Sequence, residues 1–310
     1  FIVVSAPGKR NKDDIKVTDL LINIGQTYLN GEPYEEAVQQ VIVRFQDIIE
    51  GLELSQDLLE DIKETIHSVI HNGYPDAMKV EALKAIGEAS SAKILSAYLN
   101  SIGIQASYVN PKEAGIIVSD EPGNAKVLKE SYEKIYALRE REGVLVIPGF
   151  FGYTEDGKLI TFSRGGSDIT GSIIAAGVKA DLYENFTDVD SVYSVNPNIV
   201  ENPKEISVLT YREMRELSYA GFNVFHDEAL IPAFEAKIPV CIKNTNNPSA
   251  PGTMIVAERE PQKDCVVGIA SDVGFCSLYV SKHLMNREVG FGRKLLQILE
   301  DENISFEHMP

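Results

Sequence analysis

An α/β fold with a largely parallel sheet covered on both faces is the class this sequence predicts, and three observations predict it. Apolar runs of strand length, such as FIVV, VLVIP and PVCIKN, are continuous rather than alternating, as strands buried on both faces are. Between them lie stretches whose apolar residues recur at spacings of three and four, the period of a helix packed by one face. The two patterns alternate along the chain, which builds parallel strands joined by crossover helices.

FIVV is a strand already under way at residue 1, and NISFEHMP stops as abruptly, so the sequence is expected to continue at both ends. After the loop SAPGKRNKDD, residues 34–50 set Val38, Val41, Ile42, Phe45 and Ile49 on one helical face, and Leu58, Leu59, Ile62, Ile66, Val69 and Ile70 repeat the pattern. A helix over 81–100 contains Gly87-Glu88 and leads into the strand GIQASYV. EAGIIVSD, a helix over 124–142 and the apolar strand VLVIPGFFG follow. Residues 153–162 read as a hairpin with Asp156-Gly157 as its turn. The loop ITFSRGGSDIT then opens a helix over 170–178, followed by the strand LYENFTDV and the loop DSVYSVNPN. Helices over 210–220 and 227–236, the strand PVCIKN, the turn NNPSAPGT and the strand MIVAE complete residues 1–258. REPQKD (259–264) reads as a linker. Residues 265–310, with a strand-forming run at 275–280 and a helix over 292–300, read as the start of a second, smaller unit.

With 310 residues and 44% hydrophobic side chains the chain can bury one large core or two ordinary ones. No apolar run approaches the ~18 residues of a membrane span, and FIVVSAPGKR lacks signal-peptide regions, so a cytoplasmic location is expected. The three cysteines, outside any CxxC pattern, predict neither a disulfide framework nor a zinc site. A net charge of −17 excludes a general nucleic-acid or membrane surface. An anionic ligand must therefore be held locally.

SRGGSDIT can do so. The first N–H groups of a helix have no intrahelical partner, so a glycine-rich turn entering a helix offers free donors and a positive dipole end. The dipole alone contributes about 0.3–1 kcal/mol, so Arg164 is needed beside Gly165, Gly166 and Ser167. Asp168 reads as an ordinary helix cap or as a carboxylate orienting a catalytic lysine or a metal beside phosphates. In NFTDVDSVY, Thr187, Asp188 and Asp190 fall at a strand's carboxyl end, where open α/β sheets bind ligands; such aspartates are also common turn formers. Neither cluster is a Walker loop or a GxGxxG turn.

IGEASSAKIL, EAGIIVSD, SRGGSD, FTDVDSVY, GFNVFHDEAL and NTNNPSAPGTMI, in this order, closely resemble the aspartokinases, which phosphorylate the β-carboxylate of L-aspartate with ATP. The resemblance covers nearly the whole chain. It implies a three-layer α/β/α sandwich of the amino-acid-kinase type over residues 1–258, followed from 265 by the start of a ferredoxin-like ACT regulatory domain. It also implies ATP with Mg2+, a catalytic role for Asp168 in organising a lysine, and substrate contacts from Ser5, Glu88, Arg164 and the Gly165-Gly166-Ser167 turn. Arg164 would take a carboxylate of aspartate and Glu88 its ammonium. Thr187, Asp188, Tyr193, Asn198 and Asn223 would face ATP. No metal-ligating residues are assigned. Lysine, threonine or both are the implied effectors, with homo-oligomers formed through ACT domains.

The sequence departs from that pattern at several points. The KFGG[ST]S motif, whose lysine stabilises the phosphoryl group in aspartokinases, is expected on residues preceding Phe1. Asn223 stands where many relatives carry lysine, Asn198 where many carry arginine, and Ser191 where glycine is common. His67 and His71, four apart on a helix, read as a solvated helix end rather than a metal site. His226 reads as a packed or capping residue near the nucleotide. Lys9 and Arg10 are either surface charges or neighbours of the substrate. The alternatives are a glutamate or acetylglutamate kinase of the same fold, and an inactive amino-acid-sensing subunit.

Overall fold

The computed structural model describes residues 1–310 apart from 73, 164, 220–226, 261–265, 272, 273, 275, 307, 308 and 310, and apart from the side chains of 219, 227 and 228. It divides into two units, Phe1–Ser271 and Asp272–Pro310. The first opens with β1 (Ile2–Val4) and a loop that leads to four helices, α1 (Val17–Leu29), α2 (Glu35–Gly51), α3 (Asp57–His71) and α4 (Asp76–Ser101). Their three-and-four periodicity buries Leu21, Ile24, Val41, Phe45, Ile49, Ile66 and Leu83 in one core. Both α2 and α3 carry acidic residues in their first turns, Glu35 and Glu36 in one and Asp57 and Glu60 in the other, where the helix dipole favours them.

Next come β2 (Ala106–Tyr108), the short α5 (Pro111–Ala114), α6 (Glu130–Tyr136) and β3 (Val144–Pro148). β1 and β2 both pair parallel to β3, which therefore lies at the centre of a three-stranded sheet. The hairpin of β4 (Phe151–Tyr153) and β5 (Leu159–Thr161) pairs Phe151 with Thr161 and turns through Gly157, whose N–H donates to the Thr154 carbonyl (2.9 Å). Then follow α7 (Gly166–Val178), β6 (Tyr183–Thr187), β7 (Val192–Tyr193), β8 (Glu205–Ile206), β9 (Val208–Thr210), α8 (Tyr211–Tyr219), α9 (Ile231–Glu235), β10 (Val240–Asn244) and β11 (Thr253–Val256).

A second sheet runs β6-β10-β11-β9, with β6 parallel to β10 and β11 antiparallel to it. The main core lies between these sheets and their helices and includes Leu145, Ile147, Ile160, Phe162, Ile173, Ile174, Val240 and Ile242. The continuous apolar runs are thus buried strands. Among the described strands, β1 and β6 each pair on one edge, and a groove of about 440 Å³ beneath α7 is lined by residues of both.

Three stretches differ from the sequence expectation. The helix expected over 124–142 begins only at Glu130, because Val127 bridges Val118 and the Leu128 N–H donates to the Ile117 carbonyl (2.9 Å). Local pairing with an extended neighbour outweighs the weak helical pattern there. α7 starts at Gly166 rather than 170, so Ser167 and Asp168 belong to its first turn. In the second unit α10 (Phe291–Asp301) forms as expected, but residues 276–280 pair with no described strand. A strand is held by its neighbour's hydrogen bonds, and among the described residues none runs beside these in that unit. No helix among the described residues is long and apolar enough to cross a membrane.

Candidate active site

The β5–α7 connection is shaped by its glycines. Gly165 occupies the N-cap of α7 in the left-handed region (φ 75°), where a side chain is strained. The first bond into the helix runs from the Ile169 N–H to the Gly165 carbonyl (3.0 Å). The N–H groups of Gly166 and Ser167 precede that bond and point out of the helix end. They meet a cavity of about 820 Å³ lined by Ser5, Lys16, Thr18, Lys84, Glu88, Thr161, Gly165, Gly166, Ser167 and Asp168, among others. Ser5, Glu88 and the Gly-Gly-Ser turn, dispersed in sequence, are therefore brought together.

Helix α4 supplies the opposite wall. A Cβ on Gly87 would stand 2.7 Å from the Cβ of Ala6, so only glycine lets α4 approach the loop after β1 this closely. That approach brings Glu88 to the cavity while leaving it 4% exposed. Its Oε2 has no hydrogen-bond partner among the described residues. Burial pushes its carboxyl up to about 7, against the opposing effect of the Ala6 backbone N–H. A buried carboxylate without a cation is costly, a cost that a cationic group entering the cavity would offset.

Asp168, at the third position of α7, faces both this cavity and the groove between β1 and β6, as do Ser5 and Ser167. The Asn185 amide donates to Asp168 Oδ1 (2.8 Å) and to the Tyr183 hydroxyl (3.0 Å), which in turn donates to the Asp168 carbonyl (3.2 Å). Burial, and then the charge of Asp168, raise the Tyr183 phenol. It therefore stays a neutral donor.

At the carboxyl end of β6 the Thr187 hydroxyl donates to Asp188 Oδ1 (3.2 Å), and Asp188 is exposed. Asp190 differs from Asp188. Its Oδ1 accepts the amides of Asn244 (2.7 Å) and Asn247 (3.2 Å), so it ties the strand ends together. Tyr193 is half-buried in β7, and Asn198 sits in an exposed turn where its N–H donates to Asn196 Oδ1 (2.9 Å). Arg164, Asn223 and His226 lie outside the described residues.

Of the remaining candidates, Arg10 is committed to Asp14 and Asp47 (both 3.1 Å), and neither it nor Lys9 lines the cavity. His71 is exposed and its Nε2 pairs with the Tyr34 hydroxyl (3.1 Å). No group of three or more His, Cys, Asp or Glu residues among the described ones could hold a metal ion. Sequence reasoning missed Thr18, Lys84 and Asn185. Thr18 stands on α1, which no motif marks, Lys84 precedes the Gly87-Glu88 pair for which its helix was read, and Asn185 is a polar residue within an otherwise strand-forming run.

A sequence profile of the amino acid kinase family matches residues 2–244. Aspartokinase 3 of Bacillus subtilis is 58% identical over 310 residues, covering 100% of this chain and 68% of that protein. Among solved structures, Clostridium acetobutylicum aspartate kinase, described as an allosteric enzyme, superposes with a TM-score of 0.82 at 39% identity, covering 100% of this chain and 69% of that one. Escherichia coli aspartokinase III in complex with aspartate and ADP superposes at 0.67 with 26% identity, over 83% of this chain and 58% of that one. The chain thus spans between 58% and 69% of the proteins it is compared with. Sequence profile, identity and superposition agree that the chain belongs to the amino acid kinase family, among its aspartokinases.

Proposed function

We propose that this chain carries the machinery that transfers the γ-phosphoryl group of ATP to the β-carboxylate of L-aspartate, yielding 4-phospho-L-aspartate. The observation that carries the reading is Glu88, a buried carboxylate with an unpartnered oxygen, set across a cavity from the N-terminus of α7. Such a pair suits a zwitterion, with the ammonium on Glu88 and an anionic end at the helix donors and Arg164. Relatives named as aspartate kinases, one of them bound to aspartate and ADP, support the substrate choice.

In the transfer, a β-carboxylate oxygen forms a bond to the γ-phosphorus while the bond to the β,γ-bridging oxygen breaks, and ADP leaves with that electron pair. No proton need move, so positioning and charge stabilisation suffice. The Gly166 and Ser167 N–H groups face the developing charge at the helix end, and Asn185 fixes the carboxylate of Asp168. The nucleotide is assigned to the carboxyl end of β6, with Thr187, Asp188 and Tyr193 as its contacts. Mg2+ takes one or two carboxylates and otherwise waters and phosphates; Asp168 and Asp188 would be the carboxylates offered to it, and it would be bound chiefly with the nucleotide. It supplies neutralisation of the phosphate charge.

Residues 265–310 are assigned to the start of an ACT domain, through which lysine or threonine would alter aspartate affinity. Titrating each amino acid into the intact enzyme, with and without aspartate, tests this: the coupling must be reciprocal, about 5–150-fold, and the absence of binding at millimolar concentration removes it. The catalytic reading is tested by hydroxylamine trapping of the acyl phosphate. Aspartate with ATP should give the hydroxamate. Turnover of glutamate or acetylglutamate instead of aspartate would overturn it, and so would no turnover with any acid.

A further inference from the structure

We propose that Lys84 is a substrate-contacting cation of the acid-binding cavity, taking a carboxylate of the substrate, and that Glu81 is the positioning residue holding both Lys84 and the segment entering α7. The inference rests on the amino-acid-kinase reading of that cavity.

Glu81 is 6% exposed, on the same helix as Glu88. Its Oε1 accepts the Lys84 ammonium (2.6 Å), and its Oε2 accepts the backbone N–H (3.2 Å) and hydroxyl (2.5 Å) of Thr161. Thr161 is the last residue of β5, a short step before the glycine turn. One buried carboxylate thus ties α4 to the strand that delivers the turn. Burial pushes Glu81 up, but the hydrogen bonds from Lys84 and Thr161 outweigh it and its carboxyl lies below the usual range. Glu81 is accordingly a lasting anionic anchor.

Lys84 holds three donors, and Glu81 takes one. Both Lys84 and Glu88 line the cavity. They are four apart on α4 and so share a face about 6 Å apart along the axis. Ordinarily such a pair closes on itself; here Lys84 is bound to Glu81, and Glu88 Oε2 has no partner among the described residues. The cavity therefore presents a cation and an anion side by side and uncompensated by each other, the complement of an amino acid's carboxylate and ammonium. By withholding Lys84 from Glu88, Glu81 keeps both available.

Steady-state kinetics of Lys84→Met, Lys84→Arg and Glu81→Gln in the intact enzyme, with thermal melting of each, test the proposal. Lys84→Met should raise KM for aspartate about tenfold or more, with KM for ATP within about twofold and Tm little changed; Lys84→Arg should recover part of the loss. Glu81→Gln should raise KM for aspartate in the same direction with the same split. If Lys84→Met does not fold, Lys84→Gln, which keeps a donor for Glu81, is measured instead. An unchanged KM for aspartate, or equal rises for aspartate and ATP, overturns the proposal. Failure of the wild-type enzyme to phosphorylate aspartate would instead overturn the functional reading beneath it.

Discussion

Asn185 shows how much a single side chain can matter beyond the motifs. It fixes Asp168 Oδ1 at 2.8 Å and links it to Tyr183. A hydrogen bond to a charged group contributes about 1.5–3 kcal/mol, so Asn185→Leu should lower kcat roughly ten- to a hundredfold while leaving KM for aspartate within about threefold. A kcat within twofold of wild type would reduce Asn185 to a packing residue. The chemistry of the glycine-rich turn pointed to Gly165, Gly166, Ser167 and Asp168, while Ser5 and Glu88 were reached only through the family resemblance. Asn185, Lys84 and Thr18 were invisible to both. Their roles come from what lies across the fold, and no local spacing encodes that.

At the scale of elements, the loop between β1 and α1 is held from below by α2. Arg44, 6% exposed, donates to Asp14 and to the Gly8 carbonyl, and Arg10 grips Asp14 from the solvent side. Hydrogen bonds from Arg10, then its charge and that of Arg44, hold the Asp14 carboxyl well below the ordinary range despite the opposing desolvation. Because this loop carries Ser5 and Lys16 to the cavity, Arg44→Ala should both destabilise and disorder it. The variant loses the bonds to Asp14 and to the Gly8 carbonyl, while Arg10 keeps Asp14 paired. A fall in Tm with a raised KM for aspartate is expected; a wild-type melting curve would contradict the role. Helices α2 and α3 were readable because long amphipathic periods are strong signals. The stretch 124–129 was misread because its backbone pairs with Val118 and Ile117, partners that helical periodicity does not reveal. The start of α7 was set four residues too late, since Gly165 in a left-handed cap allows the helix to begin directly behind the turn.

At the scale of the molecule, the alternation of strand and helix patterns showed an α/β protein, but not that its described strands group as β1-β3-β2 and β6-β10-β11-β9, the latter with β11 and β9 running against β6 and β10. Strand order arises from contacts between distant segments, which periodicity does not contain. The fold's main functional consequence is to bury Glu88 without a cation, and that has a global signature. Its carboxyl ionises near 7 in the folded protein and near its ordinary 4.5 when unfolded. Between those values the folded state holds a proton that the unfolded state has released, so stability falls as pH rises through this window, by on the order of 3 kcal/mol if Glu88 acts alone. An aspartate ammonium bound at Glu88 would offset that loss and displace the proton. Calorimetric titration of L-aspartate into wild type and Glu88→Gln between pH 6 and 8, in buffers of different ionisation enthalpy, therefore tests the central claim most directly. The account predicts affinity that rises with pH through about 7 with proton release to the buffer, and for Glu88→Gln weak binding without either effect. Aspartate binding that is insensitive to pH and unchanged in Glu88→Gln would place the amino acid elsewhere and contradict the account.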